Sequence, residues 1–210
     1  LLLSIKIERH KLPVQSVEIK TDDGSDVIGV GQKKLLRIGV IPYDAPYRNV
    51  EIAVEKIVRP DGTEYLGELS AYSIVEDYYL KVSAAVLAGS RIYVSATVMP
   101  NGVKSADLVL EVVRIPAESF SLRLENLANY VKTGESAYLT LIVRPANASF
   151  NVLGETANLT LLTPDLAILR RDEHGRYLIT VTDNNAVGKS ISVRVEVDGI
   201  EKVFSWKIVV

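Results

Sequence analysis

The chain has 210 residues and carries 24 Lys and Arg against 26 Asp and Glu, a net charge of −2. That balance gives no electrostatic footprint for nucleic acid or an anionic membrane surface. With no cysteine, disulfides, thiolate metal sites and a cysteine nucleophile are excluded, and the chain must rely on its apolar core, in the cytosol or after bacterial export.

Residues 1–15, LLLSIKIERHKLPVQ, read as an ending. They resemble 108–120, LVLEVVRIPAESF, where an alternating strand also runs into a basic residue and a proline before a new Ser-led strand. Segment 3–7 is therefore expected to be either the last strand of a preceding domain or an extra edge strand on the next, with 1–14 as strand and linker. The apolar start is far too short to span a bilayer, and no basic segment precedes it. The first residue is Leu1 rather than Met, so we expect a processed chain whose export signal or lipid anchor would lie upstream.

A short strand at 16–20 leads into TDDGSD, a polar turn cluster. Next comes GQKKLLRIGVIPYDAP (31–46), a Gly-led strand that stops at a proline. Leu36, Ile38 and Val40 are expected to share its inward face, with Lys34, Arg37 and Gly39 outward, the period-2 mark of a half-buried antiparallel strand. Val50, Ile52 and Val54 alternate in the following strand. Pro60-Asp61-Gly62 marks a turn, because Pro presets φ and Gly takes the left-handed position. Strands are predicted at 78–85 and 91–98, the latter with Ile92, Val94, Ala96 and Val98 on one face. Pro100-Asn101-Gly102 then closes a hairpin into 107–113.

The plan recurs. Gly31 and Gly134, Pro42 and Pro145, and Ala45 and Ala148 are each 103 residues apart. Leu139, Leu141 and Val143 answer Leu36, Ile38 and Val40, with Thr140, Ile142 and Arg144 outward. Gly188 with Ile191, Val193, Val195 and Val197 answers Gly89 with Ile92, Val94, Ala96 and Val98. Asp198-Gly199 stands where Asn101-Gly102 stood, and Phe204, Trp206 and Ile208 should point into the core. Segment 116–131 also fits a helix by spacing, but its match with 16–31, which contains TDDGSDVIGV, favours strand. A duplicated unit of about 100 residues is the usual size of an immunoglobulin-like sandwich. The expected fold is all-β: two tandem immunoglobulin-like β-sandwich domains at 15–114 and 117–210. The short linker, stiffened by Pro116, would restrict the interdomain angle and make a semi-rigid rod.

The residues VKTGESAYLTLIVRPANAS and AVGKSISVRVEV, with their first-copy counterparts VGQKKLLRIGVIPYDAP and LAGSRIYVSATV, resemble the bacterial immunoglobulin-like domains of group 2, found in tandem in surface lipoproteins of Bacteroides-type bacteria. The family commonly has a Trp followed by a Ser-rich turn in the middle strand, and 50–54 and 153–162 have neither. The resemblance implies exported, array-forming, mostly non-catalytic spacer or adhesion modules at the cell surface or outside the cell.

Catalytic signals are missing. His10 and His174 lack partners at any catalytic spacing, and Asp172, Glu173 and His174 are adjacent on a charged turn, where ligands rarely converge on one metal. Asp22, Asp23 and Asp26 lack the later bidentate Glu of a calcium loop. Asn147-Ala-Ser and Asn158-Leu-Thr match the glycosylation sequon, which matters only in a eukaryotic secretory pathway. No catalytic residue, metal ligand or cofactor-binding residue is assigned, and no cofactor is expected. Ten tyrosines against three phenylalanines lean towards the surface. Tyr43, Tyr47, Tyr78 and Tyr79 are the candidate ligand-stacking residues, against the plainer reading that they cap the core edge or pack at the domain junction. The expected function is a non-enzymatic structural, adhesion or interaction module acting as a spacer. Its partners would be other domains of the same chain, and a surface glycan or protein. The alternative is a glycan-binding accessory module of a polysaccharide-utilisation protein. Nucleic acid and direct membrane insertion are not expected.

Overall fold

The computed structural model describes residues 12–43, 45, 49–99 and 101–210. The expected strand at 3–7, together with His10 and Tyr47, lies outside the described residues. The chain divides between Arg114 and Ile115 into two compact units.

The first unit contains β1 (Ser16–Thr21), β2 (Val27–Gly29), β3 (Lys33–Ile41), β4 (Asn49–Val58), β5 (Ser73–Glu76), β6 (Tyr79–Val82), β7 (Arg91–Met99), β8 (Val103–Lys104) and β9 (Leu108–Val113). One sheet has the order β1-β3-β6-β5 and the other β2-β9-β7-β4, with β8 paired to β7. The second unit contains β10 (Ser119–Leu124), β11 (Tyr130–Lys132), β12 (Ser136–Arg144), the single helical turn α1 (Ser149–Val152), β13 (Asn158–Leu161), β14 (Ala167–Arg171), β15 (Tyr177–Val181), β16 (Ser190–Val197) and β17 (Ile200–Val209). Its sheets run β10-β12-β15-β14 and β11-β17-β16-β13. The orders match strand for strand. Each unit also has one short parallel pairing, β2 with β9 and β11 with β17. The protein is all-β, with two tandem immunoglobulin-like β-sandwich domains.

Alternation built these cores. Ile92, Val94, Ala96 and Val98 on β7 are fully buried, as are Ile191, Val193 and Val195 on β16, while Trp206 and Ile208 reach the core from β17. Successive strand residues point to opposite faces, so each central strand presents a continuous apolar row to the facing sheet. Segment 119–124 is a strand, with Phe120, Leu122 and Leu124 buried. Asp198 and Gly199 both have positive φ in the two-residue turn between β16 and β17, the hairpin chemistry that an Asp-Gly pair favours.

Four expectations change. Lys34 shares the parity of Leu36, so it lies on the inward side of β3. Its side chain is only 13% exposed, and its ammonium donates to the Val27 carbonyl oxygen and pairs with Asp23. The predicted strand at 78–85 is instead a hairpin arm: Asp77 and Tyr78 form the turn, both with positive φ, and β6 is only four residues long. An Asp-Tyr pair carries no glycine signal, which is why the turn was invisible. The strand at 50–54 continues to Val58 through a register shift between Val54 and Lys56. The change of parity at that bulge buries Ile57. In the second unit, strand structure in 153–162 begins only at Asn158, because α1 and the turn at Gly154 precede it.

Candidate functional site

The loops that looked like chemistry are locally satisfied. Asp172 accepts hydrogen bonds from the N–H groups of His174 (3.0 Å) and Arg176 (2.8 Å), and from Arg176 Nε (3.0 Å). Burial pushes its pKa up, but the Arg176 N–H, the guanidinium and the His174 N–H outweigh that and hold it below the ordinary aspartate value. The carboxylate is the pin of a tight turn. In TDDGSD, Asp23 accepts from Ser25 N–H, which with Lys34 lowers its pKa against a smaller burial effect, and Asp22 pairs with Arg37 of β3. Cations from β3 therefore occupy two of the three carboxylates considered for calcium. Among the described residues no group of three His, Asp or Glu side chains is placed to hold a metal ion, and no helix is long and apolar enough to cross a membrane.

What remains is a groove on one flank of the first unit. On one edge, β3 pairs along its length with β1, from Thr21 opposite Leu36 to Ser16 opposite Ile41. On the other it pairs with β6 only at Lys33–Leu35. The last bond on that edge is Leu36 N–H to the Tyr78 carbonyl oxygen, 2.8 Å, where the β5–β6 hairpin turns back. Beyond it, among the described residues, only β1 and β3 continue the first sheet. This opens a groove of about 450 Å³ lined by Ile38, Gly39, Val40, Tyr43, Val50 and Tyr78. An adjoining lobe of about 270 Å³ is lined by Val50, Ile52, Val75, Asp77 and Tyr78.

Two of the four candidate tyrosines meet here. Tyr43 is 82% exposed and Tyr78 50% exposed. Tyr79 is half-buried beneath the Lys33 ammonium, 4.9 Å from its ring centroid, and is not among the lining residues. The aliphatic side chains of Ile38, Val40, Val50, Ile52 and Val75 are partly buried against the core, so the groove floor is the core itself seen through the open flank. The polar groups offered by its lining side chains are the tyrosine hydroxyls and the Asp77 carboxylate.

In the second unit the loop after β12 is held against its own core. Phe150, 103 residues after Tyr47, is 7% exposed within the core. Asn151 Nδ2 donates to the carbonyl oxygens of Val143, Pro145 and Ala146, each at 3.2 Å. Ser149, the residue before Phe150, accepts from Ile115 N–H through Oγ at 2.8 Å. The signal for this pinned loop in the sequence is an Asn one residue after a phenylalanine in a proline-led turn.

A second cluster was also missed. Tyr65 is buried, accepts Leu87 N–H at 2.8 Å, and packs on Tyr72 (centroids 4.7 Å apart) beneath the Arg59 guanidinium. It anchors the excursion at 59–72, which the second unit lacks, and its contacts are structural.

No family model and no curated protein matches the chain. Among solved structures it is similar to domains 4 and 5 of the S-layer protein SbsC, at 10% identity over 95% of this chain and 100% of that one, with a TM-score of 0.38. It is similar to titin domains Z1Z2 in complex with telethonin at 13% identity, over 95% and 98%, with a TM-score of 0.39. For the extracellular cadherin domains 1–4 of protocadherin gamma B7 the figures are 12%, 94% of this chain but 51% of that one, and 0.38.

Proposed function

We propose that the chain is a non-catalytic interaction and spacer module of a bacterial cell-surface or secreted protein, built from domains near 15–114 and 117–210. The duplicated sandwich carries this reading: two self-contained cores with one strand order, one unit beginning where the other ends. The sequence resemblance to group 2 bacterial immunoglobulin-like domains of surface lipoproteins supports the same setting. In this role the protein displays surfaces on rigid scaffolds and separates whatever flanks it. An antibody against the chain should label intact cells of the organism that makes it. Labelling only after lysis would overturn the surface assignment.

A second reading, a glycan-binding accessory module, is favoured by one observation: Tyr43 and Tyr78 line the same groove. A broad glycan array separates the two. Binding lost in both Tyr43→Ala and Tyr78→Ala supports the glycan reading, and an array without hits leaves the interaction and spacer reading.

A further inference from the structure

The outer face of the β11-β17-β16-β13 sheet departs from its counterpart in the first unit. Trp206 and Ile208 are buried, so Ser205 and Lys207, which alternate with them on β17, face outward. The register sets Tyr130, Lys207 and Ser190 side by side across three strands. The same row in the first unit is Val27, Glu111 and Arg91. There a carboxylate and a guanidinium stand on opposite residues, the cross-strand complement that suits a solvent face. In the next row the first unit has Val109 opposite Tyr93, with the Lys56 ammonium 4.6 Å from the ring centroid. The second unit has Ser205 opposite Ser192, their hydroxyls 2.8 Å apart. Two serines in place of Val and Tyr remove bulk from the middle of the face. Beside them lies a hollow of about 470 Å³ lined by Asn129, Tyr130, Ser190, Ser205, Lys207 and Val209. A second hollow, of about 220 Å³, meets it at Tyr130.

We propose that this hollow binds an acidic saccharide, a chain of uronic acid units. Tyr130 stacks on a sugar ring, Lys207 pairs with its carboxylate, and Asn129, Ser190 and Ser205 bond its hydroxyls. The site goes beyond the spacer reading and lies in a different unit from the groove at Tyr43 and Tyr78. The lining selects the ligand. An amide, two serine hydroxyls and an ammonium offer donors and acceptors to a hydroxyl-rich molecule. An exposed tyrosine ring gives a flat apolar surface for the C–H face of a pyranose. Val209 is the one aliphatic residue in the lining, which suits an apolar helix or strand poorly. The neighbouring cations are taken by the protein's own carboxylates, Lys132 by Glu135 and Lys189 by Asp183. Lys207 is flanked in register by Tyr130 and Ser190 rather than by an acid. A carboxylate on the ligand would supply the opposite charge that Arg91 brings to Glu111 in the first unit, through a charge-assisted hydrogen bond.

The test titrates the full chain and follows its amide NMR shifts. The probes are tetramers of galacturonic, glucuronic and mannuronic acid, each as the free acid and as the methyl ester, with tetraglutamate beside them. At least one acid tetramer should shift the amides of Tyr130, Ser190, Ser205 and Lys207, and bind about tenfold more tightly than its ester. Tyr130→Ala and Lys207→Gln should each weaken that binding about tenfold, while Tyr43→Ala leaves it unchanged. Both altered side chains are exposed, and an unchanged urea midpoint by Trp206 fluorescence would show that the fold is kept. The shift map on the parent chain decides the matter even if a variant fails to fold. Three results would each overturn the proposal: no acid tetramer binds, the ester or tetraglutamate binds as tightly as the acid, or the shifts fall away from these four residues. Binding that survives Tyr130→Ala but not Tyr43→Ala would also overturn it, in favour of the first unit's groove. A titration without binding would leave the spacer reading intact, whereas intracellular confinement would remove that reading without touching this site.

Discussion

The two units share one strand order, and their described residues differ along one flank. In the second, the loop after β12 turns inward, buries Phe150 and uses the Asn151 amide to satisfy three carbonyls. In the first, the segment after β3 leaves Tyr43 exposed, and Ile38, Val40 and Val50 border a groove. A sandwich core thus does not dictate how its sides are sealed. Sealing depends on a few loop residues, and duplication leaves each copy able to vary them independently.

The largest test of this contrast is Phe150→Ala. Removing a buried aromatic ring should cost the second unit about 3 kcal/mol or more, whereas Tyr43→Ala should change stability by less than about 0.5 kcal/mol. Denaturant unfolding of the full chain, followed by Trp206 fluorescence for the second unit, would show the first effect. Equal effects would erase the distinction. Tyr65→Phe should cost about 1–2 kcal/mol in the first unit by leaving the Leu87 N–H without its acceptor, read as a shift in the urea midpoint. Asn151→Ala should destabilise the second unit by about 1 kcal/mol and speed exchange in 145–151, sharpening the claim that this amide pins the loop after β12.

The smallest effect is the acid sensitivity that Glu55 gives the first unit. Glu55 accepts from Ser95 Oγ and pairs with Lys104 at 2.9 Å. The Ser95 hydrogen bond chiefly, then Lys104, holds its pKa below 4.5 despite the opposing effect of burial. A carboxylate whose folded pKa is depressed contributes stability above its unfolded pKa and loses it as pH falls through the folded value. Unfolding midpoints between pH 5 and pH 3 should therefore fall less steeply for Glu55→Gln than for the parent, and parallel curves would dismiss the pair.

Much of this was legible in one dimension. The repeat of Gly31, Pro42 and Ala45 as Gly134, Pro145 and Ala148 marked equivalent strand ends, and the apolar rows on β7 and β16 are buried as alternation requires. Parity went astray at Lys34, where charge suggested solvent although position demanded the inward side; a long aliphatic stem lets the ammonium reach Val27 and Asp23. The hairpin turn at Asp77 and Tyr78 left no trace because neither residue is glycine. Of the four candidate tyrosines, the structure brings Tyr43 and Tyr78 to one groove and sets Tyr79 apart from it.

By itself the sequence determined the fold class, the duplication and the inward faces, because strand periodicity and turn chemistry are local properties that neighbouring residues decide. The tertiary structure alone decided where β6 stops short of β3, where β15 likewise stops short of β12, and that Phe150 is drawn into the second core. Those outcomes depend on residues far apart in the chain competing for the same backbone edge, and no periodicity within a single strand records who wins that competition.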